Sequence, residues 1–469
     1  MSATASDAKT PKQHLLGADT SLPGYATQIG TAQVLLPLHV KRRESIWRRH
    51  MLAFVLFGVA ILVVVGGRKF WHGQRDLSFY QMDEYPLPPT GGSFSDCDLA
   101  EWSTAIPGPR HPQYPHSDSV SLEVPLAPET LMFFSHGALS SGRLQVTSSS
   151  EISDIARFDI TVHYYNPYIR DKARICLVER KEGENGVGIY TPMHRHSPHG
   201  YRDRVHFEVV LTLPEGYLNR LETDVSNFSH DLESLAEIVD FGEILLHGSN
   251  GMINLKDLVA GSASLRTSNG PITATHLVAS SVDVHSANGP ITGNFTAVDR
   301  LDLVTSNGPV RVNVLLKGSD SKEVNKLNVR TSNSPLEASI RLGEPSGSGG
   351  SFSVETTTSN NRLATKVVST PLDAVLNLQA RTSNSPGQVA LPVTYEGDLE
   401  VYTSNSAVNI HPSNSGAEDP AGKGRKRVVQ TAVITRGRAA KGSVYWDEAN
   451  KHRGKVVLRS SNGPATIYV

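Results

Sequence analysis

From Glu243 to Gly318 the apolar and polar positions alternate at period two, break at a fixed turn, and resume. The segment divides into four consecutive 19-residue units: EILLHGSNGMINLKDLVAG, SASLRTSNGPITATHLVAS, SVDVHSANGPITGNFTAVD and RLDLVTSNGPVRVNVLLKG. Position 4 is Leu246, Leu265, Val284 and Leu303, and position 11 is Ile253, Ile272, Ile291 and Val310. Position 16, Leu258, Leu277, Thr296 and Leu315, is expected to face inward as well. The positions between are mostly polar, so each unit predicts strand, turn, strand with one buried side. The turn is Asn250-Gly251, Asn269-Gly270, Asn288-Gly289 and Asn307-Gly308. Asn and Gly tolerate positive φ, so the chain is expected to corner there. A constant period, with Pro usually after the Gly, argues for stacked coils rather than isolated hairpins. Equivalent residues then lie about 4.8 Å apart, and the stacked asparagines are expected to form a hydrogen-bonded ladder.

The motif recurs at looser spacing as Thr331–Pro335, Thr358–Asn361, Thr382–Pro386, Thr403–Ser406 and Ser460–Pro464, with a degenerate copy at Val225–Asn227. Insertions such as Gly343–Ser351 and Ser413–Arg427 explain the longer gaps. The expectation is an all-β, elongated β-solenoid of roughly ten coils over 221–469. Residues 121–220 alternate without the turn motif, at 157–165, 173–179 and 205–213. They are expected to be antiparallel strands that cap the first coil, because an open solenoid end invites edge pairing. The turns at 267–271, 286–290, 305–309 and 331–335 resemble those of the adhesin-like β-solenoid family of uncharacterised domains, as does the lead-in strand Val209–Pro214. That family is common in bacteria and occurs on single-span fungal membrane proteins. The resemblance implies a display or adhesion role and carries over no catalytic residues.

Met51–Gly67 is a 17-residue run without charge, flanked by Trp47, Arg49, Arg68 and Trp71. It predicts one N-terminal transmembrane helix at 46–70, a signal anchor that partners the lipid bilayer through 51–67. Lys41, Arg42, Arg43, Arg48 and Arg49 outnumber the basic residues that follow it, which keeps the N-terminus cytoplasmic. Residues 1–45 read as a disordered cytoplasmic tail and 71–120 as a Pro-rich stalk. The body beyond is expected to be lumenal or extracellular, a single-pass type II topology. The sequons at Asn227 and Asn294, candidate glycosylation sites, agree with that placement, as do Cys97 and Cys176, which could pair there.

Composition narrows the chemistry. The chain has 469 residues, net charge -1 and two cysteines. This excludes a disulfide-dense scaffold or a Cys-built zinc module and gives no general attraction to nucleic acid. The basic run Lys423–Arg427 is too short to change that, so no nucleic-acid partner is expected. His194, His196, His199 and His206 cluster without diagnostic metal spacing and read as a solvated loop. Asp283 and Asp302 share position 3 of adjacent units, a carboxylate spacing some glycosidases use. The 19-residue period aligns them without any catalytic requirement, so no catalytic, metal or cofactor site is expected. The reading is a non-enzymatic surface module for cell-surface glycan or protein. The alternatives are a carbohydrate-active β-helix enzyme and a structural spacer.

Overall fold

The chain divides into two units, residues 1–80 and 81–469. The computed structural model describes residues 98–99, 102, 113–126, 129–193, 204–318, 323–343, 347–414, 416–434 and 437–469, all in the second unit. The segments 1–45, 46–70 and most of 71–120 therefore lie outside the described residues. Among the described residues no helix is long and apolar enough to cross a membrane.

The strands begin with β1 (Asp98–Leu99), β2 (His116–Pro125), β3 (Thr130–His136), β4 (Ser141–Ser148), β5 (Ile155–Tyr164), β6 (Arg174–Lys181), β7 (Glu184–Tyr190) and β8 (Val205–Leu213). A short helix, α1 (Pro167–Arg170), joins β5 to β6. Next come β9 (Gly216–Val225), β10 (Asn227–Ser234), β11 (Val239–Gly248), β12 (Ile253–Thr267), β13 (Ile272–Ser286), β14 (Ile291–Thr305), β15 (Val310–Lys317), β16 (Asn325–Arg330) and β17 (Leu336–Gly343). The last are β18 (Ser351–Thr357), β19 (Leu363–Ser369), β20 (Val375–Arg381), β21 (Gly387–Ala390), β22 (Gly397–Thr403), β23 (Val408–His411), β24 (Val428–Ile434), β25 (Ala439–Tyr445), β26 (Gly454–Ser460) and β27 (Ala465–Tyr468).

Each coil contributes one strand to each of two faces. The first face runs β7, β3, β9, β11, the second halves of β12, β13 and β14, then β16, β18, β20, β26 and β22, all parallel. The second face runs β8, β4, β10, the first halves of β12 to β14, then β15, β17, β19, β21, β27 and β23. The inner sides of both faces form one core. Ile253, Ile272, Ile291, Val310, Leu336 and Leu363 stack in it, fully buried, in consecutive coils. Nearer β5 the core fills with aromatic rings, Phe133 lying 6.0 Å from Phe158 and 5.8 Å from Phe228.

The parallel stack begins ahead of residue 221. The pairs β3–β4 and β7–β8 are coils in their own right, and the antiparallel strands lie outside them: β6 and β1 beyond β7, β5 and β2 beyond β8. Coils without the Asn-Gly turn escape a motif search although their strands pair like the rest. Among the described residues twelve such strand pairs stack, against the roughly ten expected. β2 starts at His116 and β1 lies at 98–99, inside the segment read as a Pro-rich stalk. Proline bars a strand only where it sits, and His116 follows the last proline of the segment.

The repeat turns hold two surprises. None of the eight Asn-Gly residues has positive φ. Glycine is required instead by the stacking itself: a Cβ at Gly270, Gly289 or Gly308 would meet the carbonyl oxygen of the glycine one coil away at 1.8–1.9 Å. The turn is closed by the buried hydroxyl before it. Thr267 and Thr305 Oγ1 each accept the amide of Gly270 and Gly308 at 3.2 Å. The same hydroxyls donate to the neighbouring coil, Thr305 to Gly289 O at 3.1 Å. The asparagine ladder is present and continuous. Side-chain amides join Asn227, Asn250, Asn269, Asn288, Asn307, Asn333, Asn360, Asn384, Asn462 and Asn405 in that order, at 2.5–2.7 Å.

Position 16 departs from expectation in the third and fourth units. A register shift between Ala274 and Leu277 sets two residues of β13 against one of β14. Phe295 and Val314 take the inward place, and Thr296 and Leu315 turn outward.

Candidate binding surface

The outer side of the second face carries a trough of about 580 Å³ across β14, β15, β17, β19, β21 and β27. Alternation puts every second residue of these strands outside. One outward row runs Asn294, Asn313, Ser339, Lys366, Ala390 and Tyr468, and the next runs Thr292, Arg311, Glu337, Ala364, Gln388 and Thr466. Concavity arises because Ser339, Ala364 and Ala390 are short and lie among the long Arg311, Lys366 and Tyr468. Gly293 has φ +131° beside the β13 bulge, and a Cβ there would strike Ala274 O at 1.9 Å. Arg311 Nε stands 3.5 Å from Glu337, and Arg362 donates to Gln388 at 3.2 Å. Lys366 is exposed and has no carboxylate partner among the described residues. The trough thus offers guanidinium, ammonium, amide and phenol groups on a fixed strand spacing, the polar groups with which hydroxyl-rich or anionic ligands are held.

Asp283 and Asp302 do stand opposite each other in register on the first face. Each is occupied by its own cation. Arg266 and His285 both lie 2.7 Å from Asp283, and Arg300 Nε lies 2.5 Å from the nearly buried Asp302. His206 stacks 6.4 Å from Tyr114 and 6.3 Å from His163, while His194, His196 and His199 lie outside the described residues. Among the described residues no group of three His, Cys, Asp or Glu side chains is placed to hold a metal ion. In the basic run, Asp419 accepts from Arg425 at 2.8 Å, which holds its carboxyl well below the usual range. Arg427 is largely buried, which lowers its guanidinium to about 10.

Both sequon asparagines are part of the hydrogen-bonded fabric. Asn227 starts the ladder and donates to Ser140 O at 3.1 Å. Asn294 lines the trough, donates to Thr275 O at 2.7 Å and accepts from Asn313 at 2.9 Å. Cys176 is fully buried and disulfide-bonded, with Leu99 of β1 opposite it. The sequence has one other cysteine, Cys97, which lies outside the described residues.

Residues 168–368 match the Toastrack DUF4097 family. The match runs from α1 into β19 and so takes in coils on both sides of residue 221. A crystal structure from Clostridium sporogenes, described as a "putative cell adhesion protein", is aligned over 75% of this chain and 99% of its own. The identity is 8% and the TM-score 0.15, too low for the likeness to bear on fold or function. No curated protein matches the chain.

Proposed function

We propose that this chain is a non-enzymatic, single-span membrane protein that presents its β-stack as an adhesin-like module for cell-surface glycan or protein. The observation that carries the reading is the trough on the second face, a concave polar surface with an uncompensated lysine on a rigid sheet. The uncharged run 51–67 and its flanking basic residues support the anchor, with the N-terminus cytoplasmic. The separate cations on Asp283 and Asp302 support a role without hydrolysis, because neither carboxylate is free to act as acid or nucleophile.

A glycan array probed with the full chain tests the binding reading. Retention of specific glycans by the wild type is expected, with loss in the Arg362→Ala, Lys366→Ala variant. Equal retention by both proteins, or cleavage of a retained glycan, would overturn it. Protease protection in microsomes tests the topology: residues 81–469 are expected to survive until detergent is added, and Asn227→Gln to lose one glycan. Digestion of the body from the cytoplasmic side sinks the anchor orientation.

A further inference from the structure

Most outward charges on the first face are answered by an opposite charge: Arg266 by Asp283, Arg300 by Asp302, and Lys455 by Glu400. Arg381 of β20 and Arg459 of β26 are not. They are register partners on adjacent parallel strands, at the last outward position before the turn, and both are exposed. Arg381 donates to the neutral Gln379 at 2.6 Å, and Arg459 lies 5.5 Å over the Tyr402 ring. Among the described residues neither has a carboxylate partner. Like charges side by side on a sheet repel. The strand spacing puts their backbones about 4.8 Å apart. The surrounding chain adds to the excess, since residues 323–469 hold 17 Lys and Arg against 12 Asp and Glu.

The pair opens on a depression of about 470 Å³ beside the asparagine ladder, lined also by Ser383, Ser404 and Ser461. The backbones of those serines hold the turns together, Ser461 N donating to Ser383 O at 3.2 Å and Ser404 N to Ser461 O at 3.1 Å. Their hydroxyls are left with no partner among the described residues.

We propose that Arg381, Arg459 and Tyr402 form a binding site for the carboxylate or sulfate group of an acidic saccharide, separate from the trough on the opposite face. Two guanidinium forks on one spacing can grip one anionic group from two sides, which also relieves their mutual repulsion. The serine hydroxyls suit the saccharide's own hydroxyls, and the Tyr402 ring orients Arg459.

The test titrates the full chain with oligogalacturonate, a sulfated carrageenan disaccharide that has no carboxylate, and neutral N-acetylchitotriose. Saturable binding of one or both acidic saccharides and none of the neutral one is expected, and which acid binds decides between carboxylate and sulfate. Arg381→Gln and Arg459→Gln should each weaken that binding by roughly tenfold or more. Both variants remove a repulsion, so their Tm in chloride should equal or exceed that of the wild type. Failure of both acids to bind, equal binding of the neutral saccharide, or unchanged binding by the two glutamine variants would overturn the proposal.

Discussion

At the scale of single residues, the turn shows what stacking demands. Asn288 makes two ladder bonds, giving one to Asn269 and taking one from Asn307, and its side chain is exposed. Asn288→Ala is expected to cost about 1 kcal/mol. Gly289→Ala should cost clearly more, about 3 kcal/mol, because its Cβ would stand 1.8 Å from the backbone oxygen of Gly270. Chemical denaturation of the two variants checks the ordering, and equal midpoints would remove stacking as the reason for glycine. A second residue-scale effect is pH dependence. His230 is fully buried, with Nε2 2.8 Å from Thr223 Oγ1 and Nδ1 unpaired. Burial, with a smaller push from His247, lowers its pKa to about 3 from the ordinary 6.5. The unfolded chain takes up this proton near pH 6.5 and the folded chain resists it until about pH 3. The stability held by neutral His230 is therefore complete above pH 6.5 and is lost as pH falls from there toward 3, by about 1.4 kcal/mol per pH unit. His230→Gln should flatten the stability profile between pH 6.5 and 5, above the range where carboxylates titrate. Parallel slopes for variant and wild type would clear His230 of the effect.

At the scale of the element, inward spacing explains why β12, β13 and β14 are unbroken 15-residue strands. Within β12 the buried positions are 253, 255, 258, 260, 263, 265 and 267, so the step of two twice becomes a step of three. Each three-residue step rotates the side-chain phase, and the strand bends from one face to the other without a turn. The period-two reading of the flanks was therefore legible in the sequence. The second corner was less so, because nothing but spacing marks it. The β13 bulge was not legible, since Thr296 and Leu315 occupy the inward position of the repeat by count and only the local pairing turns them out. The core register has a direct check. Leu303 is fully buried, and Thr273 is half-buried on the outer side, bonded to Thr292 at 3.2 Å. Leu303→Asp should cost several kcal/mol by burying an unpaired charge, against less than about 1 kcal/mol for Thr273→Asp. Equal unfolding shifts would refute the register.

At the scale of the described body, the coils do not stack in chain order. β3–β4 lies inside β7–β8, and β26–β27 lies between β20–β21 and β22–β23. At the C-terminal end the chain steps outward to β22–β23, adds the antiparallel β24 and β25, and returns to fill the gap with β26–β27; at the N-terminal end it lays down β3–β4 first, steps outward through β5 and β6 to β7–β8, and crosses back to continue at β9–β10. The ladder records this, since Asn462 sits between Asn384 and Asn405. Deleting residues 454–469 removes the strands that hydrogen-bond both neighbouring coils. Hydrogen exchange should then lose protection across 397–411 and keep it across 253–317. Retained protection at 397–411 would mean that β22–β23 pairs directly with β20–β21.

What the sequence determined by itself was local and periodic: the strand alternation, the cornering turn, the inward rows, the asparagine ladder and the register that sets Asp283 beside Asp302. A repeat writes these into every unit, because each coil makes the same contacts with the next. The order of the coils, the strands that close the stack, the bulge beneath the trough and the unanswered pair Arg381 and Arg459 were decided only in the tertiary structure. Coil edges are chemically alike, so any coil can in principle pair with any other. The choice rests on contacts between residues far apart in the chain, such as the buried Leu378 with Val456, which no local pattern records.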